Sequence, residues 1–129
     1  MRQIIPSPNT LDDSTYRLAL AAVEAASDRK AGEILLLDVQ DISTLADYFL
    51  LVTGYSTTQV RAIANAIQDK LLEQAGQSPR HIEGLQSSTW ILLDYSDVII
   101  HILTPQEREF YDLDTFWSEA RPVDLPIAG

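Results

Sequence analysis

Asp94, Asp97 and His101 come nearest to a reactive centre: two carboxylates and an imidazole close together in the chain. The chemistry they suggest is metal binding. If the segment from Asp97 to His101 is an extended strand, the two side chains share a face. They then stand about 13 Å apart at ~3.3 Å per residue, too far for one ion. Asp94 and Asp97 alone make a thin, exposed oxygen site, so no metal site is assigned. Gly54-Tyr55-Ser56, ahead of a helical segment, is a second candidate, because free N–H groups at a helix N-terminus can receive a phosphate. Phosphate cradles carry several glycines and a lysine. Here there is one glycine, and the nearest downstream base in the helix is Arg61. No Gly-x-Ser-x-Gly elbow occurs, and the absence of cysteine removes thiol nucleophiles and Cys-based zinc sites. No catalytic residue and no cofactor is expected.

The elements that position these residues begin with a hairpin. Trp90–Leu93 and Val98–Leu103 are apolar runs around Asp94-Tyr95-Ser96-Asp97, and they read as two strands. A two-residue loop of Tyr95 and Ser96 would pair Asp94 with Asp97, Leu92 with Ile99 and Trp90 with His101. Alternation then gives one apolar core face of Ile91, Leu93, Val98 and Ile100. The opposite face carries Trp90, Leu92, Asp94, Asp97, Ile99 and His101. Such a mixture is not a plain core, and two carboxylates facing each other call for solvent, a cation or a basic partner. Trp90 has two readings. A buried aromatic contributes about 150–250 Å², either beneath the last helix or as the anchor of an interface.

The remaining pattern is α/β. A capped helix is expected from Asp12, Asp13 or Ser14 to about Asp28, with Tyr16, Ala19, Leu20, Val23 and Ala26 on one face. Glu33–Val39 and Asp47–Thr53 read as strands covered on both faces. Ser56-Thr57-Thr58-Gln59 has the form of a capping box. Behind it Val60, Ile63, Ala64, Ile67 and Leu71 make an apolar stripe that ends at Gly76. Residues 79–83 are the candidate for the next strand, which would take a right-handed crossover if parallel. Pro105 opens a last helical region with Phe110, Tyr111, Leu113, Phe116 and Trp117 as its apolar residues. The expectation is a single domain over residues 12–120, with a mixed sheet of about five strands flanked by helices. Residues 1–11 would be a flexible lead-in and residues 121–129 a flexible tail.

Composition narrows the partners. The chain has 129 residues, 46% of them hydrophobic, which suits one soluble globular domain. Nineteen acids against nine bases give a net charge of −10. That balance repels nucleic acid phosphates and suits a basic protein. Acidity alone also serves solubility. No apolar run reaches the ~18 residues of a membrane span and no secretory signal is evident, so a cytoplasmic protein is expected.

Four blocks in order resemble the ribosomal silencing factor (Iojap-like) family. They are Ala46 to Gly54; Gln59 to Ala64; Trp90 to His101; and Arg108-Glu109-Phe110-Tyr111-Asp112-Leu113 with Trp117. The likeness spans about residues 12–120. Ser96 departs from the glycine usual there, at a cost of about 1 kcal/mol if its φ is positive. Asp114-Thr115-Phe116 also departs from the family pattern. The resemblance implies a nucleotidyltransferase-like fold and a non-enzymatic factor. It implies binding to the fourteenth protein of the large ribosomal subunit, which blocks subunit joining and lowers translation. On that reading the contact residues are Trp90, Leu92, Asp94, Tyr95, Asp97, Ile99 and His101 from the hairpin, with Tyr111, Leu113 and Trp117 behind or beside them. A nucleotide-binding or nucleotidyltransferase-type enzyme is the alternative. The Asp-x-Asp or Asp-x-Glu pair that two-metal chemistry needs is missing after Ser56. A homodimer through the exposed sheet face is a third reading.

Overall fold

The structure is a computed structural model and describes residues 14–116 and 118–125. The expected lead-in at 1–11, Trp117 and the end of the tail lie outside the described residues.

The chain runs α1 (Ser14–Asp28), β1 (Gly32–Asp38), β2 (Tyr48–Thr53), α2 (Thr57–Ala75), β3 (His81–Glu83), β4 (Trp90–Asp94), β5 (Val98–Leu103), α3 (Pro105–Tyr111), α4 (Leu113–Phe116) and β6 (Arg121–Pro122). The strands form one mixed sheet in the order β3-β4-β5-β2-β1-β6. Only β2 and β5 are parallel; the other four pairings are antiparallel. The route from β2 to β5 passes through α2, β3 and β4. The strand after α2 is therefore an antiparallel edge beside β4, and the parallel neighbour comes later. The sixth strand was not expected. Arg121 and Pro122 pair with Asp38 and Leu37, and the Val123 N–H donates to the Leu36 carbonyl. The sheet thus reaches past residue 120 into the segment read as tail.

Helices α1 and α2 pack together on one face of the sheet. The buried side of α2 is Val60, Ile63, Ala64, Ile67 and Leu71, the stripe its spacing predicts. The buried side of α1 is Leu18, Ala19, Ala22, Val23, Ala25 and Ala26. It is rotated from the expected stripe, leaving Tyr16 and Leu20 half-buried. Small alanines let the two helices approach each other. Beneath them lie Leu36, Leu50, Val52, Ile91, Leu93, Ile100 and Ile102. The second face carries a smaller cluster of Leu37, Val39, Ala46, Phe49, Leu51, Leu103 and Ala120. All six residues of β2 are buried, since both faces are covered there.

Two turns set this arrangement. Ser56 Oγ accepts from the Gln59 N–H at 3.0 Å. Gln59 Oε1 accepts from the Tyr55 N–H at 2.7 Å, one residue earlier than a standard capping box. The Gln59 amide also donates to the carbonyls of Arg29 and Lys30, tying the end of α1 to the start of α2. Gly54 is required by proximity: a Cβ there would stand 2.7 Å from Val60 Cγ2 and 2.9 Å from the Val60 nitrogen. Among the described residues no helix is long and apolar enough to cross a membrane.

Candidate partner-binding surface

The hairpin pairs Asp94 with Ile99, Leu93 with Ile100, Leu92 with His101 and Trp90 with Leu103. This is two residues away from the expected register. The turn is longer than two residues because Ser96, at φ 72°, reverses the chain while the Asp97 N–H donates to the Tyr95 carbonyl. A slip of two preserves the faces, since side chains alternate with period two. Ile91, Leu93, Val98 and Ile100 are all buried on the helix side. The slip does undo the predicted Asp94–Asp97 opposition. Asp94 Oδ1 accepts from the Ser96 N–H at 2.8 Å, and its other oxygen meets Arg80 Nε at 3.3 Å. Asp94 therefore has an internal counter-ion. The Asp97 carboxylate is exposed, and its backbone carbonyl accepts from the N–H groups of Asp47 and Tyr48. Tyr95 was expected on the contact face but turns inward and is buried beneath the helices.

Trp90 and His101 form one unit. The indole Nε1–H donates to His101 Nδ1 at 3.1 Å. A ring nitrogen that accepts cannot carry a proton, so the imidazole is neutral with its hydrogen on Nε2. Burial pushes the His101 pKa down to about 4. His101 is therefore a packed acceptor, and direct contact of its ring with a partner is not available while it is buried. The rings continue in both directions. Phe49 lies 5.8 Å from His101, Tyr111 lies 4.9 Å from Trp90, and Phe110 stands edge-on to Tyr111 at 4.9 Å. The series runs from the core to solvent, where Phe110 is 78% exposed. The two readings of Trp90 meet here: α3 covers one side with Tyr111 and leaves the indole half-buried.

Arg108 holds α3 in place. Its guanidinium grips both oxygens of Asp114 at 2.9 Å. Nη1 donates to the Glu33 carbonyl at 2.6 Å and to Thr53 Oγ1 at 3.0 Å. The hydrogen bonds from Arg108 hold the Asp114 carboxyl below its ordinary range. The expected single last helix is broken at Asp112, which sits at φ 51°. The break brings Asp114 back to face Arg108. Sequence reasoning placed Arg108 and Phe110 in the last helical segment but gave neither a role at this surface. Arg108 acts across 75 residues of chain on Glu33, and no local pattern marks such a reach.

What remains open is a strip of half-buried apolar side chains, Trp90, Leu92 and Ile99. Its rim holds Asp94 and the exposed His81–Glu83 pair, whose atoms stand 2.6 Å apart; Asp97, expected on this face, borders a hollow on the helix side with Arg17 and Tyr95. Leu113 is half-buried against the smaller apolar cluster. The alternative phosphate site fares differently. Arg61 is drawn away from Gly54–Ser56 to Ser88 Oγ at 2.7 Å and the Leu85 carbonyl at 3.2 Å. Among the described residues no group of His, Asp or Glu is placed to hold a metal ion.

The sequence matches the family described as "Ribosomal silencing factor during starvation" over residues 12–128. It is 39% identical over 104 residues to the ribosomal silencing factor of Bacillus subtilis, covering 81% of this chain and 87% of the relative. It is 36% identical over 112 residues to that of Halalkalibacterium halodurans, covering 87% and 95%. Among solved structures, a Chromobacterium violaceum protein superposes with a TM-score of 0.77 at 32% identity, covering 88% of this chain and 93% of its own.

Proposed function

Because the chain belongs to the ribosomal silencing factor family, we propose that it binds the large ribosomal subunit through that subunit's basic fourteenth protein and blocks subunit joining by occupying the joining face. Translation falls as a result, with no chemical step. The observation that supports this reading is the open strip of Trp90, Leu92 and Ile99 with carboxylates at its rim. Apolar side chains left half-bare on an otherwise packed sheet mark a binding surface more readily than scattered exposure does. The acidic rim and a net charge of −10 suit a basic partner and speed the encounter. Tyr111 and Phe110 extend the strip with aromatic area, the residue class favoured at interface centres.

The test is co-sedimentation with purified large subunits, followed by addition of small subunits. Leu92→Asp and Ile99→Asp should abolish co-sedimentation and restore subunit joining. Asn65→Asp, on the exposed side of α2, should behave as wild type. If both strip variants still pellet with large subunits, the docking face lies elsewhere.

A further inference from the structure

Trp90 is the first residue of β4 and half-buried. Tyr111 of α3 lies 4.9 Å from its ring and His101 of β5 lies 5.9 Å from it. A half-buried indole has more than one way to satisfy its N–H, because water at the surface serves as well as a protein atom. Here the group is committed inside the chain: Nε1–H donates to His101 Nδ1 at 3.1 Å.

The bond restrains Trp90 more than it restrains His101. The imidazole is 8% exposed and fixed in the middle of β5, with Phe49 5.8 Å away. It has no freedom to follow the indole. An outward turn of Trp90 would take from Nδ1 its donor and from the imidazole one of the two rings packed on it. A buried acceptor deprived of its donor is costly. The free chain therefore holds the indole in one pose beside Leu92 and Ile99, whose open surface is aliphatic.

We propose that His101 is a positioning residue for docking: its Nδ1 sets the Trp90 indole in the pose that a partner meets, so that this side chain is already ordered before binding. The inference rests on the reading of Trp90, Leu92 and Ile99 as the docking strip. A side chain held in its bound conformation spares the complex the cost of ordering it, roughly 2- to 12-fold in affinity for one side chain. His101 thus serves the surface without touching the partner, acting only through Trp90.

NMR of the free chain and binding to purified large subunits test the two links. In the wild type, the Trp90 indole resonance, identified by its loss in Trp90→Phe, should show scalar coupling from Nε1 to His101 Nδ1 across the hydrogen bond. His101→Phe keeps a ring but has no acceptor, and His101→Asn places an amide oxygen where Nδ1 stood. In His101→Phe the Trp90 side chain should become mobile by NMR relaxation, and the protein should leave large subunits roughly 2- to 12-fold faster. His101→Asn should keep the indole immobile and dissociate within about twofold of wild type, below most of that range. A residue needed only for packing predicts the reverse order, because phenylalanine fills the ring's space and asparagine does not. His101→Leu takes the place of His101→Phe if the latter does not fold. The proposal is overturned if the wild-type indole shows no coupling to His101, if His101→Phe dissociates like wild type, or if His101→Asn dissociates as fast as His101→Phe. A wild type that fails to bind large subunits overturns the docking reading together with this inference, whereas a wild type that binds beside an unaffected His101→Phe removes the inference alone.

Discussion

The indole N–H of Trp90 donates to Nδ1 of His101 across 3.1 Å, joining the outermost residue of β4 to a ring buried in β5. A proton on Nδ1 would break this bond and charge a buried ring. Burial of the ring puts the folded His101 pKa near 4, against about 6.5 when unfolded. Between these values the unfolded chain binds a proton that the folded chain does not, so stability falls as pH drops from about 6.5 to about 4. The full effect is on the order of 3 kcal/mol, at about 1.4 kcal/mol per unit. An NMR titration should find His101 neutral at pH 5.5 with hydrogen on Nε2, while the exposed His81 is observed separately. Trp90→Phe keeps the ring contact but removes the donor, and should lower stability by about 1 kcal/mol. A His101 midpoint near 6.5 would remove the argument.

Arg108 makes a second prediction. Its side chain is 7% exposed and its bonds run to Asp114, Thr53 and the Glu33 carbonyl. Arg108→Ala takes the donor away from the Glu33 carbonyl and the Thr53 hydroxyl and leaves the half-exposed Asp114 to water, and should cost about 1–3 kcal/mol in urea denaturation. Arg108→Lys should recover only part, because one ammonium cannot reproduce a planar fork. The Asp114 carboxyl is held below its usual range by Arg108. Its contribution is present above about pH 4, the unfolded carboxylate range, and fades as pH falls through the lower folded value. Asp114→Asn should remove this acid-range loss and leave the His101 window in place. A loss under 1 kcal/mol for Arg108→Ala would show that α3 is held by other contacts.

These two residues also show what could be read from the chain. Periodicity found the whole buried stripe of α2 and both faces of the hairpin, because those depend only on spacing. It did not find the hairpin register. That depends on how Ser96 takes a positive φ and how Asp94 caps the turn, and neither leaves a mark in hydrophobic alternation. Nor did it find β6, since two residues ending in proline have no strand pattern to detect. Tyr95 was read as a loop residue and joined the contact residues only through the family resemblance. The longer turn puts it in line with Leu93 and Val98, facing inward. The half-buried strip of Trp90, Leu92 and Ile99 was legible as a mixed face, but the break at Asp112 that turns Asp114 back to Arg108 is a feature of backbone geometry.

Two glycines with positive φ should respond unequally to alanine. Gly76 ends α2 at φ 63° with open space where a Cβ would go. Gly76→Ala should cost about 1 kcal/mol, the left-handed penalty alone. Gly84 sits at φ 89°, and a Cβ there would overlap the Trp90 carbonyl oxygen. That oxygen belongs to β4 and cannot move without disturbing the Trp90–Leu103 pairing. Gly84→Ala should therefore cost clearly more than Gly76→Ala, by at least about 2 kcal/mol in matched denaturation curves. Equal losses would mean that the β3–β4 connection yields freely.

The two hairpin carboxylates separate docking from folding. Asp94→Lys would disturb the fold as well as the surface, because Asp94 caps the turn and pairs with Arg80. Asp97 is the cleaner probe: its carboxylate is exposed and outside every ion pair found among the described residues, and its structural role rests on the backbone carbonyl. If a basic protein approaches the turn end of the hairpin, Asp97→Lys should slow association with large subunits about tenfold or more at low salt, with the difference shrinking as salt rises. Thermal stability should stay close to wild type, since an exposed substitution costs within about 0.5 kcal/mol. Association kinetics at two salt concentrations, read beside a melting curve, separate the two effects. Unchanged association at low salt would remove Asp97 from the docking surface and leave the apolar strip to carry binding alone.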